Sequence, residues 1–277
     1  MKKILLALAA IIAFSCVKAQ TKDSLKSRIG KDSIGFYEKK KKHKIVIDTD
    51  QFYVDVKDEI DTLKPKVVKF PYIIYGIYLE HIDLGFSRYH TKSDFGTPTG
   101  YGYLNYEPFR THTIGFDALQ IGVRFNPNFK IMLSAGVDWT HIRLKDNITI
   151  LPDRPSLSAQ NGSIDFSKNR FSSCYLRLPL YFEYRTAQNR RGKRTTMVLG
   201  PEIGILLGGK TKQISEENGK VKIHDDFNLE PFRYGANIRI GYGVAGVFFK
   251  YFMNDVFAEN EGPSDFKNLA FGLTFGF

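Results

Sequence analysis

Cysteine is almost missing from this sequence: 277 residues contain Cys16 and Cys174 and no other. The first lies in a leader described below, so an internal disulfide and any multi-cysteine metal site are excluded. Long apolar runs are missing too. Beyond the first 20 residues nothing reaches the roughly 18 consecutive apolar residues of a membrane-crossing helix, which excludes a helical membrane protein. Acid is scarce relative to base, 29 Asp and Glu against 40 Lys and Arg, for a net charge of +11. The excess is spread along the chain. In an exported protein such a balance suits anionic lipid head groups better than nucleic acid.

Export is what the first residues imply. MKKILLALAAIIAFSCVKAQ has a basic start at Lys2 and Lys3, an apolar run from Ile4 to Phe14, and small-residue spacing at Val17 and Ala19. That is a secretory signal, residues 1–19, with cleavage expected after Ala19. Its removal takes three lysines and no acid, so the net charge falls from +11 to +8. The rival route, lipoprotein processing at Cys16, is disfavoured because Ala13-Phe14-Ser15 is a poor match to the usual approach to a lipidated cysteine. Residues 20–70 are polar and charged, with a lysine run at 39–42 and a β-like patch from Ile45 to Val56. They read as a basic, loosely ordered periplasmic arm, its lysines solvated or touching anionic phospholipid or cell-wall carboxylates.

Residues 71–277 are different. Eight segments alternate apolar and polar residues, near 74–87, 113–125, 129–144, 172–185, 195–208, 232–242, 245–256 and 266–277. Each has about the length a tilted strand needs to cross a bilayer. In SSCYLRLPLYFEYR, Leu176, Leu178, Leu180, Phe182 and Tyr184 share one face, while Tyr175, Arg177, Pro179, Tyr181, Glu183 and Arg185 share the other. A water-soluble sheet would not bury Arg177 and Glu183. With lipid outside, charges belong inside. The phase slips near Glu80 and Asp117, as β-bulges would make it do. Short connections, such as Asn126-Pro127-Asn128 and the single Gly243, alternate with long ones at 88–112, 145–171, 209–231 and 257–265. The reading is an all-β, eight-stranded antiparallel transmembrane up-and-down barrel with both termini in the periplasm. Its rival, a soluble lipocalin-like barrel, would turn the apolar residues inward.

The leader, the eight segments, the phrase HDDFNLEPFRYG at 224–235 and the ending GLTFGF resemble the small outer-membrane β-barrel family that includes the PorT-like proteins. The resemblance covers roughly residues 72–277. It implies an integral outer-membrane protein with no assigned activity. It also implies that Leu273, Phe275 and Phe277 serve as the signal read by the outer-membrane assembly machinery.

An eight-stranded barrel encloses just enough room for its own side chains. Asp83, Arg124, Asp138, Arg177, Glu183, Glu202, Arg233, Arg239 and Lys250 have inward parity, both signs are present, and they are expected to pair as a structural charge network. Aromatic residues, among them Tyr75, Tyr78, Phe125, Trp139, Tyr184, Tyr242, Phe249, Tyr251 and Phe277, fit strand ends or outward faces as interfacial girdles. Two places could carry catalysis. His141 sits on the lipid-facing parity as in a lipid A deacylase, but Arg143 occupies the next same-face position, where a serine nucleophile belongs. His224-Asp225-Asp226 could activate water as in the omptin proteases, or bind calcium with Glu230; a loop-folding role is the simpler reading. No catalytic residue, metal or cofactor is therefore expected. The expected partners are outer-membrane lipid and lipopolysaccharide, the assembly machinery during insertion, and an envelope or secretion-complex protein, with no nucleic acid.

Overall fold

A computed structural model describes residues 70–277 apart from 93, 190 and 191, and, within the preceding residues, only the backbone of four strands. These are β1 (Lys26–Gly30), β2 (Ser33–Tyr37), β3 (Lys44–Asp48) and β4 (Gln51–Lys57). β1 pairs with β2 and β3 with β4, both antiparallel. The leader and the lysine run at 39–42 lie outside the described residues. The chain divides into two compact units, 1–66 and 67–277.

The second unit is a closed ring of eight long antiparallel strands. β5 (Tyr72–His90), β6 (His112–Arg124) and β7 (Phe129–Arg143) are followed by β10 (Lys168–Arg185) and β11 (Thr195–Ser215). β13 (Phe232–Tyr242), β14 (Ala245–Asp255) and β15 (Lys267–Phe275) complete it. The β10–β11 and β15–β5 pairings close the ring, the latter joining Phe275 to Ile82 and Lys267 to His90. Two small strands, β8 (Ile148–Ile150) and β9 (Ala159–Asn161), form a hairpin in one long connection. β12 (Gly219–Asp225) lies beside the upper half of β11. Among the described residues no helix is long and apolar enough to cross a membrane.

Alternation decides the facing of each strand. Along β13, Arg233, Asn237 and Arg239 are buried while Tyr234, Ile238 and Ile240 are exposed. Around the ring the exposed set is a belt of Ile73, Leu119, Leu133, Leu199, Val247, Leu273 and their neighbours. The register shifts at Ile77/Glu80, Glu80/Asp83 and Asp117/Leu119, where the sequence pattern loses phase.

Two features differ from the sequence reading. Residues 209–231, expected as a loop, include the upper half of β11 and all of β12. Here the outward residues are mostly lysines and the inward ones of β11, Thr211, Gln213 and Ser215, are polar, so the lipid-barrel pattern gives no signal. Phe277, expected on an outward face, is instead 6% exposed inside the ring. β15 ends at Phe275, and Gly276, with φ at +83°, turns the chain. That left-handed backbone is one glycine adopts freely. Phe277 then packs with Met132, Tyr181 and Val198, its ring 5.9 Å from that of His81.

Candidate functional site

The interior of the ring is the most densely functionalised part of the chain. All nine inward candidates, Asp83, Arg124, Asp138, Arg177, Glu183, Glu202, Arg233, Arg239 and Lys250, are buried. Most converge on two carboxylates. Asp83 receives Arg177 Nη1 at 2.6 Å, Arg239 Nη2 at 2.8 Å and Lys250 Nζ at 2.9 Å. Asp138 receives Arg233 Nη2 at 2.6 Å and Lys250 Nζ at 3.5 Å. Glu202 stands 3.9 Å from Lys250 and accepts from Asn237 at 3.3 Å. Arg233 is held between the rings of Tyr175 and Phe252, 4.0 and 4.1 Å from their centroids, so its guanidinium meets π-faces instead of water.

Six further charged or titratable groups join this interior. Asp117 accepts Arg177 Nε at 2.7 Å and the Tyr181 hydroxyl at 2.8 Å, and pairs with His81 Nδ1 at 3.0 Å. Glu80 accepts from Gln120 at 2.9 Å. Lys130 and Arg185 both engage Glu183, the lysine at 2.9 Å. Counting parity from the middle of a strand misses Glu80, His81 and Asp117, because the bulges reset it. His81 has φ at +47° and sits beside Glu80, so two successive residues point inward. The positive phase slip itself is the signal that could have found them.

Above this network, at the long-loop end, the chemistry reverses. Tyr89, Ile142, Phe171, Phe227, Phe257 and Phe266 belong to one apolar cluster built by strand ends and loops together. Phe171 meets Phe227 edge-on at 5.5 Å and stacks on Phe257 at 6.4 Å. Tyr103 donates to the Leu157 carbonyl at 3.0 Å, tying two long loops. From end to end, then, the ring holds Phe277 and its neighbours, an ion network and an apolar cap.

The family model described as outer membrane protein beta-barrel domain matches residues 81–257. The chain belongs to that family. No curated protein matches it. Among solved structures it is similar to the crystal structure of Ail, the attachment invasion locus protein of Yersinia pestis, at 13% identity and a TM-score of 0.30, over 72% of this chain and 97% of that one. An outer-membrane barrel meets hydrocarbon on its outward belt, which accounts for the exposed Ile, Leu, Val and Phe residues.

The two catalytic candidates in this outer-membrane barrel have definite places. His141 faces outward on β7, with His112 beside it at 5.0 Å between ring centroids. Its Nδ1 lies 2.9 Å from Ser172 Oγ on β10, a serine that same-strand spacing could not reveal. No carboxylate is bonded to His141 among the described residues. His224 and Asp225 point to opposite faces of β12. Asp225 accepts the Asp153 backbone N–H at 2.9 Å, and Asp226 accepts that of Asn228 at 3.2 Å, so both acids fold loops. A separate cleft of about 790 Å³ opens where the first long loop overhangs β15, with Phe249, Leu269 and Phe271 as its floor.

Proposed function

We propose that this outer-membrane barrel is a non-enzymatic, sealed anchor of the PorT-like kind that presents an ordered loop platform to a surface ligand or to an envelope or secretion partner. The observation that carries the reading is the filled interior. Six buried carboxylates face seven buried Lys and Arg side chains inside the ring, and an apolar cap built from the long loops lies over them. Eight strands leave room for side chains and little else. The short connections are assigned to the periplasm and the long ones to the cell surface, which puts the entry to β5 and the exit of β15 on the periplasmic side. An exported precursor with a cleaved leader fits this placement, and Leu273 and Phe275, with Phe277, are the residues proposed to be read during insertion. Affinity capture of the protein from gently solubilised envelopes tests the partner. Recovery of one protein in stoichiometric amount supports it, and recovery of bare barrel excludes a stable complex. Planar-bilayer recording tests the seal: stable porin-sized current steps would overturn it.

A second reading, a lipid-cleaving enzyme of the outer membrane, has one observation in its favour, the 2.9 Å contact of His141 with Ser172. A serine nucleophile needs a base that is itself oriented, and no carboxylate orients this imidazole among the described residues. Labelling of Ser172 by a fluorophosphonate would revive that reading, and no labelling would end it.

A further inference from the structure

On the outward face, where the apolar belt stops at the long-loop end, the side chains become cationic. Four strands contribute one row in direct register: Arg143 on β7, Arg170 on β10, Lys212 on β11 and Lys222 on β12. The row below runs His141, Ser172, Lys210 and His224, and the row above runs Lys168, Ile214 and Lys220. Residues directly opposite on paired strands share a face, so these cations lie side by side. A bulge aims two of them. Cys174 pairs with Gly208 but Tyr175 pairs with Leu206, so Leu207 is an extra residue. Were the strand to run on through Leu207 without a bulge, Lys210 and Lys212 would take the inward parity of Glu202 and Gly204. With the bulge, they face outward directly above Leu207.

This arrangement costs the free protein stability. Like charges directly opposite across strands are unfavourable, and Arg170, Lys212 and Lys222 are three in a line. Apart from Arg143, which lies 3.6 Å from Glu107, none of these cations pairs with a carboxylate among the described residues. The Nε of Arg170 is buried without a hydrogen-bond partner. Partial withdrawal from water, then Lys220, Lys168, Arg170 and Lys222, hold the Lys212 ammonium below its ordinary pKa; at Lys222 the neighbours Lys220 and Lys210 come first. Protection of an exposed strand edge accounts for lysines on β12. It does not account for Lys168, Arg170, Lys210 and Lys212, which stand on strands paired on both sides. The face is built for an anion.

We infer that this face binds the phosphates of an outer-leaflet glycolipid, a phosphorylated sugar head whose acyl chains lie on the belt below. Resting on the surface orientation proposed above, it deepens that reading by naming the ligand class and its site. Two features select this class. The cations adjoin Leu207, Leu176 and Trp139 on the same outward face, so a ligand held here also meets the hydrocarbon belt. The row of four strands spans on the order of 14 Å at the usual strand spacing, wider than one phosphodiester and suited to a head with phosphates at both ends. Arg170 offers the planar fork that a phosphate accepts in bidentate fashion, and the lysines supply point charges around it.

The test uses the full chain purified in a non-ionic detergent. The probes are bis-phosphorylated lipid A, the same lipid with both phosphates removed, and phosphatidylglycerol. Native mass spectrometry counts retained lipid, and emission from Trp139, the single tryptophan, one same-face step below His141, reports on the site. The expected result is retention of lipid A by wild type and by Lys193→Glu at the short-turn end. The double variant Lys212→Glu/Lys222→Glu should lose it at least tenfold, and the dephosphorylated lipid should not bind. Should the charge reversal fail to fold, Lys212→Gln/Lys222→Gln takes its place. Equal retention by wild type and a folded double variant overturns the site, and equal binding of phosphatidylglycerol overturns the ligand class. An Asn218→Cys variant in intact cells checks orientation separately. Labelling of that cysteine by an impermeant maleimide supports the surface placement, whereas labelling only after lysis overturns it and the glycolipid assignment together.

Discussion

Strand β10 lies in two solvents, and its outward face changes character between its two halves. From Leu176 to Tyr184 the outward residues are Leu, Leu, Leu, Phe and Tyr, while Arg177, Tyr181 and Glu183 are buried. From Lys168 to Ser172 the residues of outward parity are Lys, Arg and a covered Ser, and Phe171 is buried inside beside Asn169. The parity never changes along the strand. What changes is the medium outside, oil below and water above, and each half puts inside what its medium rejects. The stretch from Cys174 to Tyr184 matches the roughly 9–11 residues that a tilted strand needs to cross a bilayer. The comparison teaches that the charged lumen and the apolar cap are one design rule applied on two sides of a waterline.

Breaking the charged half should have the largest effect. Asp83→Ala would take its carboxylate from Arg239 and one of the carboxylates from each of Arg177 and Lys250, and removing one partner of a buried ionic cluster costs about 3–5 kcal/mol. Urea titration of the protein in lipid vesicles reads that loss; a shift below about 1 kcal/mol would mean that the network is looser than its distances.

Moving an arginine along the outward face of β10 sharpens the waterline. Leu178→Arg, mid-belt, should cost about 2–4 kcal/mol, whereas Lys168→Arg, above the belt on the same strand, should cost about 0–1 kcal/mol. Equal penalties in the same titration would place both positions in one medium and undo the comparison.

The opposite end of the lumen offers a smaller effect. Phe277→Ala removes a ring buried against Met132, Tyr181 and Val198, worth about 1.5–3 kcal/mol at full burial. The proposed role in insertion separates from this cost if membrane yield in cells falls while refolding yield in detergent does not. Parallel losses would leave the residue a purely structural one.

The cap supplies the smallest effect. Burial, and then Tyr101, push the Tyr103 hydroxyl up from 10.0 to about 12. A folded pKa above the unfolded one means that its contribution is complete below pH 10 and fades as pH rises towards 12. Limited proteolysis of the long loops should therefore accelerate only in that alkaline window. Acceleration at pH 8 would point to another group.

Much of this was legible in the sequence, and the reason is the belt. Where lipid lies outside, alternation is strong, so the eight crossing strands and the facing of Arg177, Glu183, Arg233 and Arg239 can be read by counting. Counting fails wherever a bulge resets it, which hid Glu80, His81 and Asp117, and wherever a glycine turns the chain, which misplaced Phe277. It also fails above the waterline. Lys210 to Ser215 is as regular a strand as any, but its outward lysines resemble a solvated loop, and the apolar cap draws single residues from connections far apart in sequence. The pairing of His141 with Ser172 joins two strands 31 residues apart and leaves no local trace.

The bulge at Leu207 and Gly208 has a consequence for how such a chain tolerates change in length. A single inserted residue in a strand normally exchanges its two faces, which in the belt would put leucines into the lumen and glutamates into lipid. Two inserted residues keep the faces and merely slide the waterline. Here one extra residue is accommodated because the bulge leaves it unpaired, so that Leu206 and Gly209 on either side keep the faces of their partners Tyr175 and Ser173, and Gly208, with φ at +145°, absorbs the irregular backbone. The bulges at Glu80 and Asp117 absorb extra residues within the belt in the same way, so strand length can change wherever a bulge restores the faces.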